Sequence, residues 1–468
     1  MTKNTHSIQR VFLEINTPSM SMANAIKNDL AMFMQNEVTP ILEKQFNLIE
    51  NTDNQIIQIE KLEIYIQSDT EKNDTFFSKI DIKNQIEKEI QKAINELQKK
   101  TKNDIKKESE ILTLSSEDKD LKTLLYFIEN GSMPWWEDGV AFFEKINFEK
   151  LKKDVFTPFG KLIQQKNIQK RIINQFSNQE IAFFTSALLD SKTQQKALSE
   201  NSLLSFIKNK SHEFKSCFWY LFFDASNKKK TTEIIQFYHQ NRTEFLSEKI
   251  SFELFVQSLK VFFPLNISDD ELKKINNNYL SFEKAKSTVK SESANENLKE
   301  EKNNSKSFYV QNAGLIILHP FINEMLKNCN LISDNNSITN KELAAHILHY
   351  AATKKENDYE HAMLFEKFLC GIPIQQSIKR EISIEEKHKH QVEEMLLSVV
   401  EHWSALKNTS TDVVRTEFLQ REGKLDLGES NPKLNIERKT QDLLLEKIPW
   451  NINIIKIPWI EKLIYTQW

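Results

Sequence analysis

The chain has 468 residues, 39% of them hydrophobic and 10% aromatic, including 31 Phe. This much apolar and aromatic surface can fill several cores and excludes a disordered chain or a plain filamentous rod. The 63 basic and 66 acidic residues nearly balance, at a net charge of −3, so no overall positive field draws the chain to nucleic acid.

The N-terminal 70 residues are predicted to form a β-α-β unit. Apolar residues alternate over 11–15, as in a strand with one buried face. Pro18 ends that strand and begins a helix with apolar residues at helical spacing. A second alternating run covers 57–66. We interpret residues 1–70 either as a docking or multimerising domain or as a plain subdomain core.

Residues 71–117 are polar and rich in lysine, and they are predicted to be extended or helical. One narrow apolar stripe recurs every three or four residues: Ile82, Ile86, Ile90, Ile94 and Leu97. Such a stripe predicts a surface helix or the seam of a coiled coil. It lasts for about two heptads, which is shorter than a coiled coil usually needs.

Residues 118–280 are predicted to form a helical domain with many aromatic side chains. Asn130–Gly131 ends one of its helices, because glycine tolerates the left-handed conformation that follows a helix end. Pro134 prevents the helix from resuming. Trp135 and Trp136 follow at once and are expected to anchor the turn.

The composition changes again at residues 281–307, where Lys, Ser, Glu and Asn dominate and a flexible linker is predicted. Residues 308–468 are then predicted to form a C-terminal helical domain that ends in a short β-meander. Its predicted elements are a buried segment at 315–318, helices at 343–351, 363–369, 385–406 and 413–419, and strands at 434–436, 452–457 and 463–465. The predicted fold class is therefore mainly α with small α+β parts.

Histidine pairs are the obvious candidates for a metal site, at His346 with His349 and at His388 with His390. Neither pair has the additional ligands at the spacing that zinc requires. Cys370 is expected to pack rather than to react. We expect no catalytic, cofactor-binding or metal-binding residues, and hence no enzyme.

Tryptophans are the best candidates for protein interaction. Trp450, Trp459 and Trp468 are spaced nine residues apart, and the first two each follow Ile-Pro. They either pin a small β-sheet core or form an aromatic docking surface, because tryptophan is enriched at interface hot spots. Trp135 and Trp136 complete this set of candidates.

The three cysteines are few and far apart, which favours a reducing cytoplasm over a disulfide framework. The first ten residues are polar and do not resemble a secretory signal peptide. No run of eighteen apolar residues occurs, so we expect no transmembrane segment. The expected location is the cytoplasm, or the interior of a particle.

Several phrases in one order resemble the tape-measure protein family of contractile injection systems, which are phage-tail-like particles. The phrases are His6–Ile8 with Val11–Ile15, Gly131–Trp136, Asn312–Phe321, Leu369–Pro373, His402–Lys407, Phe418–Lys424 and Ile448–Trp459. The resemblance implies a structural role in particle assembly, in which the protein sets or scaffolds the length of the inner tube. It implies inner-tube, baseplate or hub, and tube-terminating subunits as partners, with no cofactor. Whether the chain oligomerises is left open.

A second interpretation stays open beside this one. A single helix of the whole chain would span about 700 Å at roughly 1.5 Å per residue. A chain that buries its aromatic residues in compact domains cannot reach that length. An assembly chaperone or cap, or a baseplate-associated protein, that binds tube subunits through the C-terminal domain is therefore the alternative.

Overall fold

The computed structural model describes part of the chain. The described residues are 6, 8, 34–48, 55–59, 62, 84, 86–95, 111–134, 136–137, 142–146, 160–186, 206–207, 210–224, 231–262, 274, 307–407, 409–428 and 430–468. The chain divides into two compact units, Met1–Thr123 and Leu124–Trp468. Most of the described residues are helical, and a small mixed sheet lies near the C-terminus.

In the first unit, helix α1 (Thr39–Asn47) begins with a proline in its first turn and buries Ile41 and Leu42. Residues 86–95 are helical, and Ile86, Ile90 and Ile94 pack against α1. The predicted apolar stripe is therefore confirmed at these three positions, where it forms part of a subdomain core. Ile82 and Leu97 lie outside the described residues.

The predicted N-terminal β-α-β unit is not supported. Strand β1 (Gln55–Ile59) pairs antiparallel with strand β2 (Ile111–Ser115), in a register that sets Gln55 opposite Ser115. The partner of β1 thus comes from beyond residue 70, at the end of the segment that was predicted to be polar and extended. The predicted strand at 11–15 lies outside the described residues.

The first part of the second unit is helical, as predicted. Helix α2 (Ser116–Asn130) begins before the boundary at Leu124 and ends in this unit. The helices that follow are α3 (Phe142–Lys145), α4 (Lys166–Gln175), α5 (Asn178–Ser186), α6 (His212–Asp224), α7 (Thr231–Gln240), α8 (Arg242–Ser247) and α9 (Phe252–Phe262). Gly131 ends α2 with a φ of +72°, and its N–H donates to the carbonyl of Phe127 at 2.7 Å. The predicted glycine end of this helix is confirmed.

The C-terminal part combines helices with a five-stranded sheet. Its elements are β3 (Ser307–Val310), α10 (His319–Asn328), α11 (Lys341–Thr353), α12 (Leu364–Leu369), α13 (Glu386–His402), α14 (Thr411–Val414), β4 (Gly423–Asp426), β5 (Lys433–Ile436), β6 (Ile454–Ile455) and β7 (Ile464–Gln467). The helices predicted at 343–351, 363–369 and 385–406 correspond to α11, α12 and α13. The predicted buried segment 315–318 lies in a wholly buried 3₁₀ helix, Ala313–Leu318.

The predicted β-meander is wrong in its connectivity. The strand order is β3-β4-β5-β7-β6, and β5 pairs with β7 in parallel. A 3₁₀ helix at Thr440–Lys447 carries the chain away after β5, so β7 returns in the same direction as β5. The far edge is β3, which precedes all the helices of this part. It pairs with β4 across 113 residues at Val310–Gly423 and 119 residues at Ser307–Asp426, a separation that local sequence patterns do not encode.

One face of the sheet is buried and the other faces solvent. Leu425, Leu434, Ile455 and Ile464 point into the core. On the opposite face Ile454 and Tyr465 stand directly across from each other and are exposed. This alternation follows from the two-residue period of a strand.

Among the helices of the described residues, none is long and apolar enough to cross a membrane.

Candidate functional site

A buried charge network joins two stretches of the second unit that are distant in sequence. The Arg171 Nε of α4 donates to Glu360 Oε1 at 2.5 Å, and the Lys367 Nζ of α12 lies 3.2 Å from Glu360 Oε2. All three side chains are almost completely buried, with exposed fractions of 1% or less. Burial lowers the pKa of Lys367, and the neighbouring Glu360 carboxylate offsets this only in part.

Backbone carbonyls also accept hydrogen bonds from Arg171 and Lys367. Arg171 Nη1 donates to the carbonyls of Ile128 and Glu129 at 2.9 and 2.8 Å. These carbonyls lie in the last turn of α2, where a positive charge also complements the helix dipole. Arg171 Nη2 donates to the carbonyl of Gln375, and Lys367 Nζ donates to that of Ile374 at 2.5 Å. Buried cations of this kind need such partners, because burial without them is very costly.

Gly131 packs directly against this network. A Cβ at this position would lie 2.8 Å from Glu360 Oε1 and 2.9 Å from Arg171 Nε. Glycine is thus required twice, once for its positive φ and once for the close approach. The Gly-x-x-Pro-Trp-Trp phrase begins directly on the Arg171–Glu360 ion pair.

The end of α4 continues the polar contact. Asn174 Nδ2 donates to Ser377 Oγ at 3.2 Å, and Gln175 Nε2 donates to the carbonyl of Ile378 at 2.7 Å. In return, the N–H of Arg380 donates to the carbonyl of Asn174 at 3.0 Å. Residues 374–380, which follow the Cys-Gly-Ile-Pro phrase, are therefore held against α4 by hydrogen bonds.

One aromatic patch accompanies these hydrogen bonds. Phe143 stacks on Tyr359 with 3.8 Å between ring centroids, and Phe127 and Phe176 meet Tyr359 at 6.2 Å. The Arg380 guanidinium lies 3.8 Å from the centre of the same tyrosine ring. Such contacts contribute beyond the area that they bury.

A second buried network lies on the side of α11 and α12. His349 Nδ1 lies 2.9 Å from Glu366 Oε1, which also accepts from Asn312 Nδ2 at 2.7 Å. His349 Nε2 approaches Asp358 Oδ2 at 3.5 Å. Burial opposes protonation of His349, but the two carboxylates outweigh it and raise its pKa to about 9. His349 is therefore held charged between two acids.

The predicted interaction tryptophans lie mostly against the core. Trp450 and Trp459 are half-buried, and their indole N–H groups donate to the carbonyls of Ile317 at 3.0 Å and Leu369 at 2.7 Å. Trp468 is half-buried, and its indole nitrogen is buried. Trp136 meets Tyr126 edge-on at 6.0 Å. Trp135 lies outside the described residues, and an interaction role for all five stays a prediction.

The other side chains considered for chemistry are engaged in packing. His346 has its ring nitrogens 3.1 and 2.8 Å from the carbonyls of Glu356 and Lys379. Burial raises the pKa of the Cys370 thiol far above its ordinary value, which keeps the sulfur unreactive. Among the residues that the structure describes, no group of three His, Cys, Asp or Glu side chains could hold a metal ion.

Sequence reasoning did not find the Arg171–Glu360–Lys367 network. Arg171 and Glu360 are separated by 189 residues, and each sits in an ordinary charged stretch. The available signal was Gly131 with its helix end, which indicated a tight approach but not its partner.

The arrangement is one of paired, buried charges and indole hydrogen bonds that hold segments together. Comparison with curated proteins and with solved structures gave no significant match. The family model described as contractile injection system tape measure protein matches residues 5–468. This match covers nearly the whole chain and agrees with the resemblance of the sequence phrases. The chain belongs to the contractile injection system tape measure protein family.

Proposed function

We propose that this chain is a structural protein of a contractile, phage-tail-like injection particle, in which it sets or scaffolds the length of the inner tube. The observation that carries the proposal is the family match over residues 5–468. Inner-tube subunits, the baseplate or hub, and the tube-terminating subunits are the proposed partners. The proposed location is the cytoplasm during assembly, followed by incorporation in the particle.

The folded parts limit how such a protein measures length. An α-helix adds about 1.5 Å per residue, and an extended chain adds about 3.3 Å. Helices and strands packed into a compact domain add far less length per residue. If the chain is a ruler, the scale therefore resides mainly in segments between the folded parts, of which 281–307 is the clearest in composition.

A second candidate is an assembly chaperone or cap that binds tube subunits through the C-terminal part. The self-contained core of residues 308–468 favours it, because a rigid domain with a solvent-facing sheet suits docking better than measuring. Ile454 and Tyr465 provide exposed apolar surface on that face.

A deletion strain and analysis of purified particles test the first candidate and separate it from the second. The tape-measure role predicts that the protein is present in purified particles at a fixed ratio. It also predicts that its loss gives no tubes or tubes of irregular length. Particles of normal, uniform length in the deletion strain would end that proposal. Absence from finished particles, with capture of tube subunits by the free protein, would favour the chaperone.

A further inference from the structure

The main hydrophobic cluster of the C-terminal part contains no described residue of the helices that precede it. Within the described residues, every buried member of this hydrophobic cluster lies between Val310 and Ile464, and its half-buried neighbours run from Phe308 to Trp468. The helices of residues 124–186 have aromatic contacts of their own. Phe176, for example, meets Phe127 and Phe184 edge-on. Residues 124–186 and 308–468 are therefore two bodies, each with apolar packing of its own, within the compact unit Leu124–Trp468.

The contact between the two bodies is unusually polar. Helix α4 buries three residues that bond across it: Arg171 to Glu360, Asn174 to Ser377 and Gln175 to Ile378. Two backbone amides also cross the contact, since Glu360 N–H donates to Gln175 Oε1 and Arg380 N–H donates to Asn174 O. Around Tyr359 the contact is aromatic.

Charge and hydrogen bonding make this contact easier to open than an apolar core of equal size. Three charged side chains, two positive and one negative, lose their water when it closes. The cost of that desolvation offsets much of their attraction. When the contact opens, water solvates these groups again, whereas an opened apolar core gains nothing comparable.

We propose that the contact of α4 with residues 359–380 is a polar joint, centred on Arg171, Glu360 and Lys367, which opens reversibly while the core of residues 308–468 stays folded. The joint lets the preceding helices swing away without unfolding the C-terminal part. This inference concerns the fold and holds whichever of the two candidate functions is correct.

Hydrogen exchange of the full-length chain, followed by mass spectrometry of peptides, tests the joint directly. The amides of Glu360 and Arg380 report its opening, because they donate to Gln175 Oε1 and to the carbonyl of Asn174, which both lie on α4. The amides in the middle of α11, around Leu348, report unfolding of the core. We expect the joint amides to exchange at least about tenfold faster than the α11 amides in the native chain, a difference of roughly 1.4 kcal/mol.

Glu360→Gln tests the role of the charges. It leaves Arg171 and Lys367 buried without their carboxylate, so the joint amides should exchange on the order of 100-fold faster, with the α11 amides unchanged. Asp442→Asn is the matched control. It breaks the equally buried Arg421–Asp442 pair, at 2.7 Å, which lies wholly within the C-terminal part. This control should accelerate exchange in the α11 amides.

Equal exchange rates for the joint and α11 amides in the native chain would overturn the proposal, and this comparison needs no variant to fold. The proposal would also be overturned if the joint amides exchange at the same rate in Glu360→Gln as in the native chain. The charges would then not hold the joint closed.

Discussion

The indole N–H of Trp459 donates to the backbone carbonyl of Leu369 at 2.7 Å, across 90 residues of sequence. Trp450 makes the corresponding bond to Ile317 at 3.0 Å, across 133 residues. The two Ile-Pro-Trp phrases of the tail thus bind two of the other phrases of the C-terminal part, Asn312–Phe321 and Leu369–Pro373. Proline fixes the chain before each tryptophan, so the indole reaches one particular carbonyl.

Trp459→Phe and Trp450→Phe should each lower the free energy of unfolding of the C-terminal part by at least about 1 kcal/mol, because the indole hydrogen bond is lost and the smaller phenyl ring keeps only part of the packing. Denaturant titration followed by circular dichroism measures the change. Tyr465→Phe is the control, since it removes a hydroxyl from an exposed side chain and should shift stability by less than about 0.5 kcal/mol. No loss in either tryptophan variant would mean that the indole bonds do not stabilise the fold.

Three glycine-to-alanine changes should lower the free energy of unfolding to different extents. Gly371→Ala should cost about 1 kcal/mol, because φ is +65° while the nearest atom to a new Cβ is Lys341 Nζ at 3.6 Å. Gly131→Ala should cost more, because its φ is +72° and its Cβ would also press on Glu360 and Arg171. Gly314→Ala should be the worst, because its Cβ would coincide with the carbonyl of Phe418.

Thermal or denaturant unfolding of the three variants measures this order. A Gly314→Ala variant as stable as Gly371→Ala would contradict the close approach of the Phe418 carbonyl to Gly314.

Stability should fall as the pH rises from about 6.5 to 9, because of His349. Its pKa is raised in the folded chain to about 9, above its value in the unfolded chain. The stabilisation is therefore complete below about pH 6.5 and is lost as the pH rises through 9, to a total of about 3 kcal/mol.

Unfolding free energies measured across this range, compared between the native chain and His349→Gln, test the effect. The variant should be less stable at pH 6 and should lose most of the slope between pH 6.5 and 9. An identical slope in both proteins would assign the pH dependence to other groups.

The sequence predicts those features that are set by neighbours along the chain. The stripe Ile86, Ile90 and Ile94 is buried, and Gly131 ends its helix, because helical spacing and left-handed φ are local properties. The partners of these features could not be predicted in the same way. Strand β3 pairs with β4 across more than 110 residues, and Arg171 meets Glu360 across 189.

The tryptophans illustrate the same limit at the candidate site. Their spacing and their prolines were visible, and both a core role and a docking role were consistent with the pattern. The structure places the indole nitrogens of Trp450 and Trp459 on backbone carbonyls, which are distant contacts that no spacing encodes.

The exposed pair Ile454 and Tyr465 offers a sharper test of docking than the tryptophans do. Replacing both by Ser should leave the free energy of unfolding within about 1 kcal/mol, because both side chains are on the solvent face. If the C-terminal part binds tube subunits through this face, the double variant should capture less of them in a pull-down. Leu397→Ser, on α13 and 58% exposed, is the control and should bind normally. Equal binding by both variants would remove the sheet face from the chaperone candidate.

The most direct test of the tape-measure role is the length of particles in electron micrographs after residues 282–304 are deleted or duplicated in the native strain. An extended segment of this size spans about 75 Å, at roughly 3.3 Å per residue. A scrambled order of the same residues is the control, because it keeps length and composition. The tape-measure role predicts shorter particles with the deletion, longer particles with the duplication and unchanged particles with the scramble. Uniform particles of native length in all three strains would contradict it.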